Sequence, residues 1–319
     1  NELLKFTKGH PVKVLCALGV FTAVTSAFLD NVTTVILIMP ITFAIAKKLD
    51  IDPIPFLLTE IFSSNIGGTA TLIGDPPNII IGSAGGLSFI DFIKELTPVI
   101  LVIMCVVLTI LAFIFRKKLH ASQDKMDEVA KIDNSHTITD KALMIRSTLI
   151  LALVILGFML HDVTHIETCV VAMLGASILL IFEKPNEILQ DVEWNTIFFF
   201  IGLFIIIGGL EASGGIKLMA EWILKVTQGS QAATSMIILW ASGVISGIID
   251  NIPYTATMAP MLVEIEKTMG ATYAYPLWWA LSLGACLGGN MTIIGAAANV
   301  IVSENAAKSG HPISFMRFL

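Results

Sequence analysis

Charged side chains are scarce in this chain. Asp, Glu, Lys and Arg make up 14% of its 319 residues, about half of the ~25% usual in soluble domains. Hydrophobic residues make up 55%, which is more than a polar shell can cover. This composition excludes an ordinary soluble enzyme and a disordered chain, and a net charge of −6 without a dense basic patch excludes a nucleic-acid partner. Because the apolar runs are continuous rather than alternating, we predict an all-α polytopic protein of the lipid bilayer, not a β-barrel.

Cysteine is also rare. The four cysteines, Cys16, Cys105, Cys169 and Cys286, are far apart, and each lies in an apolar segment. No pair has CxxC or metal-ligand spacing, so we interpret them as small hydrophobic side chains. The sequence contains no Ser/His/Asp or metal-binding set that would support catalysis. We therefore predict that the protein is not an enzyme and uses no cofactor beyond a coupling ion.

Long apolar runs, in contrast, are abundant. A spanning helix needs ~20 apolar residues, and four segments supply such a run: 96–116, 142–160, 165–182 and 194–210. Two further regions, 11–46 and 231–268, are each divided by an Asp-Asn pair. In the first region each half has sixteen uncharged residues, or ~24 Å of helix, which is too short for a comfortable crossing. We therefore predict two re-entrant hairpins with the Asp-Asn pairs at their tips.

Two broken helices are predicted at 54–84 and 274–308. Each carries a Gly pair, followed by a Gly and an Asn, inside an otherwise apolar run. Non-helical backbone at membrane depth is tolerated only where protein or a water-filled cavity satisfies its polar groups. These regions are therefore predicted to line such a cavity.

The hairpins and broken helices form an internal repeat. Residues 67–81 and 288–302 match at seven of fifteen positions with an offset of 221, and 26–40 and 246–260 share Ser, Asp, Asn and Pro at an offset of 220. We predict two repeats, 1–116 and 142–319, joined by a linker at 117–141. Five crossings separate the hairpins, and this odd number predicts an inverted-topology repeat, the usual plan of secondary transporters with a midplane site.

The two copies differ in their flanking segments. The second copy has about ninety residues before its hairpin, whereas the first has about ten. The first copy continues through a full span after its broken helix, whereas the second does not. We therefore expect roughly eighty further residues before this chain and one span after it.

Lysine and arginine predict the orientation. If the first hairpin opens to the cytoplasm, fifteen of these residues lie inside and four outside, and the opposite topology reverses that bias. The linker at 117–141 is then cytoplasmic, and the segments 83–90 and 211–230 are external.

Acidic residues mark the predicted site. A carboxylate at the bilayer centre costs ~2.5–3.5 kcal/mol, so Asp30 and Asp250 need a cation, a proton or a backbone donor. Asp30 also precedes a predicted helix, so helix capping is the alternative interpretation, and both roles can hold at once. Asp75 has no acidic counterpart because Ala296 occupies the matching position. Up to three acids then share the site.

The glycine-rich loops supply the other wall of the predicted site. Glycines let a helix unwind and bring carbonyls close to an ion, and Thr hydroxyls suit a hard cation such as sodium. Tight helix packing through small residues is the alternative interpretation. The predicted substrate- and ion-binding residues are Asp30, Asn31, Thr33, Gly67, Gly68, Thr71, Gly74, Asp75, Asn78, Asp250, Asn251, Gly288, Gly289, Asn290, Thr292, Gly295 and Asn299. Within that set, the predicted Na⁺ ligands are Asn31, Thr71, Asn251 and Thr292.

Four stretches carry a resemblance to a known family: SNIGGTATLIGDPPNIIIG (64–82), FLDNVTT (28–34), WNTIFFFIGLFIIIGGLE (194–211) and IDNIPYTATMAPM (249–261). They resemble the ion transporter superfamily over nearly the whole chain. Within it, the arsenite permease and P protein (ArsB/NhaD) group is closer than the citrate and dicarboxylate–sodium symporters. The resemblance implies Na⁺ or H⁺ coupling and a homodimer whose transport domains move against a scaffold in a prokaryotic plasma membrane. It also implies an ATPase subunit as partner if the protein pumps arsenite.

The hairpin tips depart from those of the dicarboxylate symporters. Those tips carry Ser-Asn-Thr, whereas Asp stands in place of Ser at both tips here. Carboxylates near a dianion repel it unless cations or protons neutralise them. We therefore predict an ion-coupled secondary transporter that moves a small inorganic ion or oxyacid by alternating access, as in arsenite or antimonite efflux or Na⁺/H⁺ exchange. A sodium-coupled citrate or dicarboxylate symporter is the alternative, and a passive ion channel is the alternative of another class.

Overall fold

The structure is a computed structural model that describes residues 7–130, 140–182, 185, 189–190, 192 and 194–319. Every regular element in that part of the chain is helical, as the apolar composition predicts. Residues 1–6 of the predicted first repeat and 131–139 of the predicted linker lie outside the described residues.

The first repeat begins with two helices that meet at Asp30. Its helices are α1 (Pro11–Ser26), α2 (Asn31–Leu49), α3 (Ile54–Gly68), α4 (Pro76–Gly85), α5 (Phe89–Glu95) and α6 (Thr97–Phe115). The break between α3 and α4 ends at Pro76 and Pro77, which lack the N–H that a continuing helix would need but fit its first turn. Ser88 then caps α5 through a reciprocal pair of hydrogen bonds with Asp91.

One helix lies inside the predicted linker. Helix α7 (Gln123–Ala130) follows the first repeat. Its Lys125 Nζ lies 2.6 Å from Asp50 Oδ2 at the end of α2. The Lys125 ammonium holds the pKa of Asp50 below its usual range, first through this hydrogen bond and then through its charge. The start of the linker is therefore attached to the first repeat.

The second repeat repeats the order of hairpin and broken helix. Its helices are α8 (Lys141–Met159), α9 (His161–Thr164), α10 (Thr168–Phe182), α11 (Trp194–Ala212), α12 (Gly215–Val226), α13 (Gln231–Ser246), α14 (Asn251–Met269), α15 (Ala271–Gly288), α16 (Ala297–Lys308) and α17 (Phe315–Phe318). A single 3-10 turn, Ile293–Gly295, lies in the break between α15 and α16. Ser314 caps α17 as Ser88 caps α5, which extends the repeat to these short helices.

Several helices suit a membrane. Among the described residues, α2, α6 and α8 are long and apolar enough to cross a bilayer, and residues 196–212 of α11 with α12, bent by 68°, form a broken fourth candidate. Helix α2 is longer than its uncharged stretch, because Lys47 and Lys48 continue it to 19 residues. By length it could cross the membrane alone, so the re-entrant path of the first hairpin stays a prediction.

The two repeats are interlocked rather than side by side. Helix α1 packs along α3, and the equivalent α13 packs along α15. Across the repeats, α2 packs against α16 and α14 packs against α4, so each hairpin arm contacts the other repeat's broken helix. This exchange brings all four helix breaks to one place.

Candidate functional site

The helix breaks of both repeats line one cavity of about 480 Å³. Its residues from the breaks include Asp30, Asn31, Asp75, Asp250 and Asn251. The volume falls in the range of about 300–1,000 Å³ typical of small-molecule sites. The structure therefore brings together the two hairpin tips and the acid of the first broken helix.

Asp75 is the centre of the polar network in this cavity. It is fully buried at the end of the loop between α3 and α4. The side-chain amide of Asn31 donates to Asp75 Oδ1 over 3.4 Å, and that of Asn251 lies 3.4 Å from Asp75 Oδ2. One carboxylate thus accepts from both hairpin tips, and the matching Ala296 can accept from neither.

Asn65 extends the network and was not among the predicted site residues. It accepts from Asn31 Nδ2 over 3.2 Å. Its own amide donates to Asn290 Oδ1 at 3.0 Å and to Asn299 Oδ1 at 2.9 Å, both in the second repeat. The available signal was that Asn65 ends a run of polar residues, Ser63, Ser64 and Asn65, in a largely apolar helix. Because Cys286 occupies the matching position, comparison of the repeats did not reveal it.

The two tip aspartates cap helices. Asp30 Oδ1 accepts from the backbone N–H of Thr33 at 2.9 Å, and its other oxygen accepts from the Thr33 hydroxyl at 2.5 Å. Asp250 Oδ1 accepts from the backbone N–H of Ile252 at 2.9 Å. The capping role weighed in the sequence is therefore present, and both carboxylates also line the cavity. Capping occupies one oxygen of Asp250 and leaves the other available to a cation or proton.

Thr71 and Thr292, the two Na⁺ ligands predicted in the glycine-rich loops, hold those loops in place and do not line the cavity. The Thr71 hydroxyl donates to Ala27 O, and the Thr292 hydroxyl donates to Gly247 O at 2.5 Å. Each of these carbonyls belongs to the hairpin turn of the same repeat. The duplicated bonds fasten each loop to its hairpin, which explains why Thr recurs at both positions.

Asn78 and Asn299 close the loops from the other side. Asn78 Nδ2 donates to the carbonyls of Thr69 and Thr71 at 3.1 and 2.9 Å. Asn299 Nδ2 donates to those of Gly289 and Thr292 at 2.7 and 2.9 Å. These amides satisfy carbonyls that the broken helix leaves unpaired. Their nitrogens are thus committed to structure.

The predicted glycines allow close packing of the backbone. A Cβ on Gly67 would lie 2.2 Å from Ala23 O, and one on Gly288 would lie 2.5 Å from Gly243 O. Gly68 and Gly74 face one another in the first loop, as Gly289 and Gly295 do in the second. The tight packing weighed as an alternative therefore accounts for these glycines, and it places the loops next to the hairpins.

The last wall of the cavity comes from α11. Thr196, Phe199 and Phe200 face the acids from this helix. Residues 194–211 carried part of the family resemblance, but they were not predicted to belong to the site. Their side chains are mostly apolar, and an apolar residue in a membrane protein does not by itself indicate a binding site. It makes one side of the cavity apolar.

The electrostatics of the cavity combine two opposing sources. Three carboxylates line it, and its described lining contains no Lys, Arg or His. Helices α2, α4, α14 and α16 all begin at the cavity, and each N-terminus carries roughly half a positive charge. The helix ends offset part of the negative charge, and a cation or protons would offset the rest.

Interlocked repeats with broken helices meeting at a carboxylate-lined cavity are the plan of a secondary transporter. The comparison with known families agrees. A family model described as citrate transporter matches residues 1–284, and the chain belongs to this family. The protein is accordingly an integral, multi-pass membrane carrier of the ion transporter superfamily and not an enzyme.

Individual relatives point the same way. A protein of Mycobacterium tuberculosis named as an uncharacterized transporter is 42% identical over 317 residues, covering 98% of this chain and 74% of that protein. The 46 kDa membrane protein of Mycobacterium leprae is 41% identical over 317 residues, with the same coverage of both. The human P protein is 31% identical over 395 residues, covering 98% of this chain and 47% of that protein.

Proposed function

We propose that this carrier couples substrate movement to Na⁺ or H⁺ held by the cavity carboxylates. The observation that supports this is the meeting of Asp30, Asp75 and Asp250 around one cavity whose described lining has no basic side chain. Carboxylates at membrane depth that have no basic counter-charge favour binding of a cation or a proton. Release of that cation on the other side would then return the site to its starting state.

The same charge argument bears on the substrate. A neutral oxyacid, such as arsenous or antimonous acid, enters a carboxylate-lined cavity without repulsion. Exchange of Na⁺ for H⁺ at the same acids needs no further substrate at all. We propose this class, a small inorganic ion or oxyacid, as the first candidate.

A carboxylate such as citrate is the second candidate. The family match favours it, and so does one detail of the cavity. Helix α16 begins at Ala297, which lines the cavity, and no side chain caps it, so the positive end of its dipole is available to an anion. An anion bound there would need cations or protons on the three acids to limit repulsion.

Counterflow in proteoliposomes tests these proposals. Arsenite and citrate are offered separately, each with and without a Na⁺ or proton gradient. A carrier shows uptake of labelled substrate stimulated by unlabelled substrate inside the vesicle, whereas a channel does not. Accumulation that collapses when the gradient is dissipated supports coupling, and gradient-independent flux without counterflow would overturn it.

A further inference from the structure

A second carboxyl group is buried outside the cavity. Glu60 lies on α3 and is fully buried. The Thr42 hydroxyl on α2 donates to its Oε1. Its Oε2 has no hydrogen-bond partner within the described chain. The matching residue of the second repeat is Leu281, so this carboxyl belongs to the first repeat alone.

No counter-charge faces Glu60 from the helices around it. Within the described structure, Thr42 is its one hydrogen-bond partner, and no ion pair involves it. The ionisable side chains on the packed helices α1, α2, α6, α15 and α16, with the N-cap of α2, are Lys13, Cys16, Asp30, Lys47, Lys48, Cys105, Tyr273, Tyr275, Cys286, Glu304 and Lys308. The lysines and Glu304 among them are exposed. An unpaired buried carboxylate is costly, and a proton on Glu60 would remove that cost.

Polar groups lead from Glu60 towards the cavity. Asn65, which contacts the network of Asp75, lies five residues further along α3, a rise of ~7.5 Å and a rotation of ~140° around the helix. Between them, Ser63 lies one turn from Glu60, and its hydroxyl is buried without a partner among the described residues. The hydroxyl of Thr34, two turns from Thr42 on the cavity side, is in the same situation. Buried hydroxyls of this kind can both accept and donate a proton.

The opposite direction leads to the surface. Residues Pro53, Asp52 and Asp50, beyond the start of α3, line a second pocket of about 510 Å³ that also includes His311. Pro53 is seven residues from Glu60, a rise of ~10 Å along α3. Glu60 therefore lies along α3 between the central cavity and this pocket, with the buried apolar side chains of Phe56, Leu57 and Leu58 on the pocket side.

We propose that Glu60 is a proton-carrying residue that exchanges a proton with the cavity acids. The O–H bond of Glu60 breaks and one forms on an ionised cavity carboxylate, and the reverse transfer breaks that bond and re-forms the O–H bond of Glu60, while each intervening hydroxyl accepts one proton and releases another. The role deepens the proposed function, on which it rests, and names the proton as a coupled ion. Glu60 is a relay and does not touch the substrate.

The variant Glu60→Gln tests the relay because it keeps size and hydrogen bonding but cannot carry the proton. Arsenite and citrate are the probes in proteoliposomes. We expect uptake driven by a proton gradient to fall about tenfold or more, while counterflow, which needs no net proton movement, stays near wild type. The exposed Glu304→Gln is the matched control and should preserve both activities.

Other outcomes are decisive as well. Proton-driven uptake retained in E60Q, or counterflow lost from a folded E60Q, would overturn the relay. Wild-type uptake driven by Na⁺ alone would also overturn it while leaving the proposed carrier intact. A wild type without counterflow of either probe would instead reject the proposed function.

If E60Q does not fold, the variant Glu60→Asp replaces it. Asp keeps the carboxyl but moves it away from Thr42, and an unchanged pH profile of proton-driven uptake would then count against the relay.

Discussion

Asn251 Nδ2 lies 3.4 Å from Asp75 Oδ2, although 176 positions separate the two residues in the chain. The contact joins the hairpin tip of the second repeat to the broken helix of the first. Asn31 reaches the same carboxylate from the first hairpin. A duplicated framework therefore converges on a single acid, which contacts the tips of both hairpins.

Asp75→Asn is predicted to impair coupling while preserving the fold. The variant removes the charge, and its amide oxygen can still accept from Asn31 or Asn251. We expect gradient-driven transport to fall about tenfold or more. Asp75→Ala leaves buried donors unpaired and should also lower stability by about 1–3 kcal/mol for each unpaired donor.

Transport in proteoliposomes and thermal unfolding in detergent separate these two effects. Asp124→Asn changes an exposed carboxyl on α7 and serves as the control. Normal gradient-driven transport in D75N would remove Asp75 from the coupling mechanism.

Asp30→Asn and Asp250→Asn separate capping from coupling. Asn caps a helix about as well as Asp, whereas Ala costs about 1 kcal/mol. The Asn variants should therefore unfold near the wild-type temperature, and the Ala variants should unfold earlier. If the carboxylates also hold the coupling cation, gradient-driven transport falls in all four variants. Full transport in both Asn variants would leave capping as the sole role.

The sequence located the helix breaks well because each has a strong local cause. An Asp-Asn pair, or a Gly pair followed by a further Gly and an Asn, has few stable places inside an apolar run. Hydrophobic periodicity and composition do not predict which group each polar side chain bonds to. Thr71 and Thr292 look like cation ligands in the sequence, yet their hydroxyls donate to the carbonyls of the hairpin turns.

Other parts of the site needed the three-dimensional packing. Asn65 joins the two repeats through Asn290 and Asn299, contacts that span more than 220 positions. Neither local pattern nor the repeat alignment predicts such partners. Phe199 and Phe200 line the cavity only because α11 lies against the helix breaks. The sequence of one segment alone does not predict that packing.

Gly67→Ala and Gly288→Ala are predicted to destabilise the protein. The added methyl would meet backbone carbonyl oxygens at 2.2 and 2.5 Å, so helices α1 and α3, or α13 and α15, would have to separate. Overpacking of this kind costs about 1–3 kcal/mol. Thermal unfolding of the purified variants measures the effect.

Gly209→Ala is the matched control for these glycines. Gly209 also lies in an apolar helix, but an added Cβ there would meet nothing within 4 Å. Ala favours a helix over Gly by about 1 kcal/mol, so this variant should be as stable as wild type or more so. Equal losses in G67A and G209A would contradict the close-packing explanation.

Cysteine labelling tests the predicted orientation. The four native cysteines are first replaced by Ser, and single cysteines are introduced at Ser122 and Ser213, which are both exposed. The fifteen-to-four distribution of Lys and Arg places Ser122 in the cytoplasm and Ser213 outside. An impermeant thiol reagent added to intact cells should therefore label Ser213→Cys at once and Ser122→Cys only after permeabilisation. The reverse pattern would invert the whole topology, and with it the side to which the pocket beyond Glu60 opens.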